Sequence, residues 1–453
     1  MRRPAFRMFA PARRLIGNAI VLRTLPGQRA FVRAPRAHIE AARDRRVRRV
    51  VRFAAAHVPH YRDLFTRERI DPREIRTAAD LVRLPVLEKD DVRRAPLRFV
   101  ADTWHGRTAL PFYTSGSTGE RTLIHHDRRG LIENIAYSER EREVIAGFVG
   151  RPLGYREAVL SYPGATVDKV RAFYAEWTWI PGRPNRRQLS VLRSIEENAA
   201  SLAEFQPHLV FAYGSYLEAF HRAALAGRVP FYKPRVLLYG AEPVMPAVRA
   251  EIERTYGVPV LSAYNAVEAF KMAFHCERRD GFHLHEDLCH LRILDVRGMD
   301  APPGVEGDVL ISNLVNRGTV LLNYRIGDRA AFAADPCPCG RTLRRLQEID
   351  GRSEDLLALP NGRLIHPRGV WGIVKPRLEI QQYQLVQTAP AEVVMHLVTP
   401  DEASFHTVED DVARALAALL GPGVDVRVVR STAVPRTAAG KVRMVVGLGA
   451  RPA

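Results

Sequence analysis

Short apolar runs at residues 158–161, 209–213, 236–239 and 258–263 alternate with longer stretches of helical periodicity, such as 191–203 and 244–256. Runs of four to six apolar residues have strand length, and a strand covered on both faces reads as a continuous apolar block. Such strands, separated by helix-length crossovers, pack as a largely parallel sheet with helices on its faces. The middle of the chain is therefore expected to be α/β, with everything else arranged around that sheet.

The flanking regions read differently. From 41 to 94 the apolar residues recur at helical spacing, broken at Pro59 and Pro72, and the stretch closes with Leu84-Pro85-Val86-Leu87-Glu88-Lys89. This predicts a helical lead-in over 41–100. Residues 305–329 read as paired strands with Gly307-Asp308 and Arg317-Gly318 at the turns, a small β subdomain. Past Arg352, Pro360-Asn361-Gly362 marks a sharp turn. A strand-helix-strand pattern then runs through 385–398, 408–420 and 424–429. The expected organisation is a basic arm over 1–40, a large N-terminal α/β domain over 41–352 with parallel sheets and the β subdomain, and a small α+β domain over 353–453. A chain of 453 residues is long enough for two or three such units.

A formal net charge of +18 raises nucleic acid as a partner, but its distribution argues against one. Lysine occurs only at Lys89, Lys169, Lys233, Lys271, Lys375 and Lys441; the excess is arginine, spread along the chain among acids. No nucleic-acid partner is expected. No run of about 18 apolar residues offers a membrane span. The first 39 residues carry many arginines and no acid, without the apolar core and cleavage site of a secretory signal. Four cysteines, two of them one residue apart, do not make a disulfide framework in so long a chain, and a reducing cytoplasm fits best.

Tyr113-Thr114-Ser115-Gly116-Ser117-Thr118-Gly119-Glu120 is the most informative segment. Glycine lets backbone amides approach an anion closely, and Ser and Thr hydroxyls add donors to phosphate oxygens. The Gly-Lys-Ser/Thr ending of a Walker loop is missing. A strand-like stretch at 109–112 precedes the loop and places it at a strand end, where α/β folds bind ligands.

This loop resembles the phosphate loop of the adenylate-forming superfamily, which includes acyl-CoA synthetases and adenylation domains. Further motifs follow in the family's order. Tyr239-Gly240-Ala241-Glu242-Pro243 resembles the strand-end segment that borders adenine and the acyl pocket. Tyr264-Asn265-Ala266-Val267-Glu268 resembles the family's Tyr-Gly-x-Thr-Glu, and Tyr324-Arg325-Ile326-Gly327-Asp328 its Tyr-Arg-Thr-Gly-Asp. Asp350-Gly351-Arg352 resembles the hinge before a mobile C-terminal domain. Pro435-Arg436-Thr437-Ala438-Ala439-Gly440-Lys441 resembles the loop that delivers the catalytic lysine. The helical lead-in His57-Val58-Pro59-His60-Tyr61-Arg62, Leu84-Pro85 and Cys337-Pro338-Cys339-Gly340-Arg341 are habits of the phenylacetate-CoA ligase branch, which also holds coenzyme F390 synthetases.

The resemblance implies ATP-dependent activation of a small carboxylic acid to an acyl-adenylate, with transfer to a thiol. Joining a carboxylate to the α-phosphate brings two anions together, so a positive charge must sit between them. By likeness Lys441 supplies it, and Thr114, Ser115, Gly116, Ser117, Thr118 and Gly119 hold phosphates. Gly240, Ala241, Glu242, Pro243, Tyr264 and Asn265 border the nucleotide. Asp328 accepts from the ribose hydroxyls, and Arg352 bonds ribose or phosphate oxygens. Glu268 holds magnesium, a hard ion that needs few protein ligands beside phosphates. Asn265 stands where Gly is usual and Val267 where Thr is usual, and Val267 has no hydroxyl to donate.

Coenzyme A is the thiol implied by likeness, with the phosphopantetheine of an acyl carrier protein as the variant. Two other functions share these motifs: adenylation with a non-thiol acceptor, and nucleotide binding with little turnover. A homodimer is compatible with the chain. Cys337-x-Cys339 with Cys276 and His283 matches a closed Cys3His zinc set, His285, Cys289 and His290 being rivals for its fourth place. Tyr213-Gly214-Ser215 and Tyr239-Gly240 should wall the acyl pocket. Phe173, Tyr174, Trp177 and Trp179 have spacing that suits pocket lining or core alike. The Gly-rich run of the branch's aryl-acid ligases is absent, which leaves the acid unnamed.

Overall fold

The computed structural model describes residues 10–103, 109–114, 122–180, 185–347, 349, 357–361, 363–365, 367–374, 376–435 and 442–448. The chain opens with helices α1 (Ala10–Thr24), α2 (Arg36–His57) and α3 (Pro59–Arg67). The last two part at Val58, because proline lacks the N–H that would continue a helix yet suits the first turn of a new one. A hairpin follows, β1 (Ala109–Tyr113) and β2 (Leu123–Asp127), antiparallel, with Tyr113 opposite Leu123 at its mouth. Asp127 caps α4 (Arg128–Tyr137) by accepting the Gly130 N–H at 2.8 Å, and α5 (Glu139–Val149) leads into the main sheet.

The chain then alternates as expected: β3 (Arg156–Ser161), α6 (Thr166–Trp177), β4 (Asn185–Ser190), α7 (Ile195–Phe205), β5 (Leu209–Tyr213), α8 (Gly214–Leu225), β6 (Val236–Gly240), α9 (Pro246–Tyr256) and β7 (Val260–Tyr264). These five strands are parallel in the order β4-β3-β5-β6-β7. The chain reverses its direction of travel across the sheet at β3. At such a reversal the crossover helices part and leave a crevice at the carboxyl ends of the strands. Ser194 and Glu197 start α7 with a reciprocal capping box. Beyond β7 the sheet turns antiparallel with β8 (Ala273–His275) and β9 (Phe282–Leu284). A separate meander of β10 (Cys289–Leu294), β11 (Gly307–Asn313) and β12 (Tyr324–Ala330) follows, and β13 (Arg345–Leu346) returns to pair with β9.

The last part of the chain carries the short pair β14 (Leu357–Ala358) and β15 (Leu364–Ile365), helix α10 (Pro367–Val374), hairpin β16 (Gln382–Ala389) and β17 (Glu392–Val398), helix α11 (Glu402–Leu420), β18 (Asp425–Arg430) and β19 (Val445–Val446). Its sheet order is β18-β17-β16-β19. Val370, Leu385, Met395, Val412, Leu416 and Val445 form an apolar cluster drawn wholly from this part. The lead-in has no such independence. Val47, Val50 and Tyr61 share one core with Leu291, Val309 and Tyr324 of the meander, and Leu87 exchanges backbone hydrogen bonds with Asn323 and Arg325.

From Ala10 onward the basic arm is largely helical and docked, because its arginines find carboxylates: Arg13 pairs with Glu176, Arg29 with Glu139, Arg33 with Glu143 and Arg36 with Glu286. Gly17 lets α1 lie against α6, since a Cβ there would come within 1.9 Å of the Trp177 carbonyl oxygen. Two sequence expectations need correcting. Gly307-Asp308 opens a strand and makes no turn, because Gly307 passes the Leu294 carbonyl too closely for a side chain. Finally, the strand before the phosphate loop belongs to an antiparallel hairpin outside the parallel sheet. Residues 109–112 alone could not reveal its partner.

Candidate active site

The motifs meet because consecutive parallel strands end side by side. Tyr213 ends β5 and Gly214 follows it, Gly240 ends β6 ahead of Ala241 to Pro243, and Tyr264 ends β7 ahead of Asn265 to Glu268. Gly214 allows the β5 and β6 ends to touch: a Cβ would lie 2.3 Å from the Pro243 carbonyl oxygen. Ala241 has φ of 69°, a left-handed conformation that disfavours a side chain and marks the turn off β6 as over-determined by its surroundings. Glu242, nearly buried, accepts the Ser215 N–H at 3.0 Å through one oxygen and the Val442 N–H at 2.8 Å through the other.

Across from these ends, the Tyr264 phenol donates to Asp328 Oδ2 at 2.6 Å, uniting β7 with β12. Both side chains are almost buried, so the bond orients a carboxylate that is sheltered from water. Asn265 closes the turn after β7, its amide nitrogen facing the carbonyls of Tyr264 and Phe270. Glu268 sits in the same turn with its carboxylate largely buried, and Asn313 Nδ2 holds its carbonyl at 2.8 Å.

The hairpin is fastened to that turn by a residue the sequence reading missed. His126 Nε2 lies 2.6 Å from the Val267 carbonyl, and its ring packs on Phe270 with centroids 4.3 Å apart. Burial lowers its pKa to about 4, so near neutral pH it is an uncharged donor to that carbonyl. On the other flank, Asn316 Nδ2 donates to the His125 carbonyl, Asp127 accepts the Arg317 N–H, and Gly318 passes too close to His125 for a side chain. His125-His126-Asp127 directly after the loop was the available signal. Thr114 closes the hairpin mouth: its N–H reaches the Thr122 carbonyl and its Oγ1 accepts the Thr122 N–H, each at 3.0 Å. Ser115, Gly116, Ser117, Thr118, Gly119, Arg352 and Lys441 lie outside the described residues. Of the aromatics weighed for the acyl pocket, Phe173 is core beside Val21, Phe112 and Leu131, and Trp179 is exposed.

A second cluster lies toward the amino ends of the parallel strands, because β8 runs antiparallel to β7. Cys276, His283, Cys337 and Cys339 bring one ligand atom each to within 4.8 Å of one another. Cys276 Sγ is 3.7 Å from Cys337 Sγ, and Cys339 Sγ is 3.4 Å from His283 Nε2. A tetrahedron with Zn–S bonds of about 2.3 Å has S–S edges of about 3.8 Å, so the donors already stand at coordination spacing. The N–H groups of Arg278 and Arg341 point at Cys276 Sγ and Cys339 Sγ, both at 3.4 Å, as partners of thiolates do. His285 and Cys289 are absent from the cluster: His285 Nε2 lies 3.1 Å from a Glu141 oxygen, and Cys289 is buried in the meander.

The fold is that of the adenylate-forming CoA ligases. Over 93% of the chain it superposes on 91% of 2-hydroxyisobutyryl-CoA ligase in its postadenylation state, with a TM-score of 0.72 and 19% identity. By sequence the chain is a homologue of phenylacetate-coenzyme A ligases. It is 24% identical to the Thermus thermophilus enzyme, covering 91% of this chain and 97% of that one, and 25% identical to the Escherichia coli enzyme, covering 88% and 92%. No protein-family model matches. Among the described residues, no helix is long and apolar enough to cross a membrane.

Proposed function

We propose that the chain is an acid–thiol ligase. In the first half-reaction a carboxylate oxygen of a small acid attacks the α-phosphorus of ATP, the bond to pyrophosphate breaks, and an acyl-adenylate forms. In the second, a thiol sulfur attacks the acyl carbon, AMP leaves, and the thiol proton is released. Coenzyme A is the acceptor that likeness to the phenylacetate-coenzyme A ligases supports, with a carrier-protein phosphopantetheine as the variant.

The observation that carries this reading is the Tyr264–Asp328 hydrogen bond, which joins two motifs 64 residues apart beside the turn that bears Glu268. In the reaction Asp328 accepts from the ribose, with Tyr264 fixing its orientation. The hairpin, anchored by His126, presents Thr114 to the phosphates, and by likeness Ser115 to Gly119 add further phosphate donors. Lys441 places its charge between the attacking carboxylate and the α-phosphate, where it offsets the negative charge gathering in the transition state. Magnesium, when bound, neutralises phosphate charge, and the sheltered Glu268 carboxylate is a hard oxygen donor suited to it. Arg352 belongs to the hinge on which the unit over 353–453 turns against 41–352 between half-reactions.

The closed Cys3His set favours a structural zinc, since four protein donors leave no place for a reactive water. Reduced thiols in this setting fit a cytoplasmic protein. Acid-dependent exchange of pyrophosphate into ATP, run over a panel of acids with and without coenzyme A, tests the proposal. Exchange plus thioester supports it, and exchange without thioester moves the chain to the synthetases with another acceptor. No exchange with any acid leaves a nucleotide-binding homologue.

A further inference from the structure

Glu242 sits where the likeness places nucleotide-bordering residues, and the structure gives its carboxylate two backbone partners. One oxygen accepts the N–H of Ser215, in the first turn of α8, where amides have no partner within the helix. That bond lies within the N-terminal unit and holds the side chain ready. The other oxygen accepts the N–H of Val442, which directly follows Lys441 and belongs to the C-terminal unit. A buried carboxylate is thus shared between a helix start and the N–H of Val442.

The same face of α8 makes further contacts to the C-terminal unit. Arg222 Nη1 donates to the carbonyls of Arg377 and Ile380 at 3.3 and 3.4 Å. Tyr383 of β16 is buried close to Glu218 and Arg222. These contacts reach the C-terminal unit largely through its backbone, and they hold the one orientation described here.

We propose that Glu242 is a positioning residue for adenylation: its carboxylate holds the N–H of Val442, the residue next to Lys441 in the sequence, and releases it when the C-terminal unit turns for thiol transfer. The proposal rests on the adenylating function above. Only an ionised carboxylate of this length accepts both amides. Glutamine leaves one carbonyl oxygen and sets an N–H against an N–H, and alanine removes both acceptors.

The test measures the two half-reactions separately. Glu242→Gln should slow acid-dependent pyrophosphate exchange about 10- to 100-fold, the worth of one charge-assisted hydrogen bond. Thioester formation from saturating acyl-adenylate and coenzyme A should fall at least about fivefold less than exchange does, a split that a merely structural defect would not produce. Val442→Pro removes the donor from the other side, and the double variant should lose no more exchange than either single one. Small-angle scattering of the full chain should show Glu242→Gln more extended than the parent. Exchange within twofold of the parent, an equal fall in both half-reactions, or additive losses in the double variant would each overturn the latch alone. A parent protein that exchanges with no acid would overturn the adenylating reading and the latch's part in it.

Discussion

The two ends of the eight-stranded sheet are built on opposite principles. Toward the amino ends of the parallel strands, side chains from distant parts of the sequence close on one another. Cys276, His283, Cys337 and Cys339 converge, and the almost fully buried Arg341 bonds Glu277 at 2.6 Å and reaches Glu143 at 3.4 Å. At the carboxyl ends, links among the described residues to the last part of the chain reach main-chain atoms: Glu242 to the Val442 N–H, Arg222 to two carbonyls. Beside them the chain holds Ala241 at positive φ. Interlocked side-chain clusters resist rearrangement, whereas single backbone contacts can be made and broken within one catalytic cycle. One end anchors and the other works.

Breaking the anchor should have the largest effect. Cys276→Ser removes a donor from a closed set and should lower zinc content from about one equivalent toward zero, with a loss of stability of roughly 4 kcal/mol. Metal analysis and denaturant unfolding check it, and a metal-free parent protein would refute the zinc assignment. At the working end, Lys441→Ala should cut acid-dependent exchange about 10²-fold or more while leaving unfolding unchanged. Unaltered exchange would remove Lys441 from the chemistry. Tyr264→Phe frees Asp328 from its orienting partner and should lower exchange about tenfold, mainly through ATP binding. A normal response to ATP concentration would show that the bond plays no part in the site.

The smallest effect is a pH dependence at the working end. Burial, with Glu242 nearby, raises the Glu218 pKa to about 7 against the opposing pull of the Met245 N–H and Arg222, and Tyr383 packs close by. A carboxyl whose folded pKa lies above its unfolded value keeps a proton that the unfolded chain has released. Its contribution is therefore complete below the ordinary carboxylate value and is lost as pH rises through about 7. Glu218→Gln keeps a neutral side chain and should flatten the fall in stability between pH 5 and 8. An unchanged slope in denaturant unfolding across that range would show that Glu218 does not set it.

Much of this contrast was legible before any coordinates. The apolar runs at 158–161, 209–213 and 236–239 are β3, β5 and β6 to within two residues at either end, because continuous apolar blocks of that length are satisfied only inside a covered sheet. The hairpin around the phosphate loop was half seen: 109–112 read as a strand, but its antiparallel partner begins at Leu123, across a segment with no strand signal. His126 went unremarked because a histidine after a polar loop looks like any surface residue. Its role depends on the Val267 carbonyl, 141 positions away.

What the sequence determined by itself was chemistry carried by local order: strand-helix alternation, a hydroxyl- and glycine-rich loop, an isolated lysine near the C-terminus, and four zinc-type ligands with candidate spacing. Those signals live in neighbouring residues and need no partner to be read. Only the tertiary structure decided which ligands meet, that Tyr264 orients Asp328, and that Glu242 holds the Val442 N–H. Each of these is a contact between segments 50 to 200 residues apart. Such pairings follow from the order of strands in the sheet and the path of the chain across it, and no local pattern encodes them.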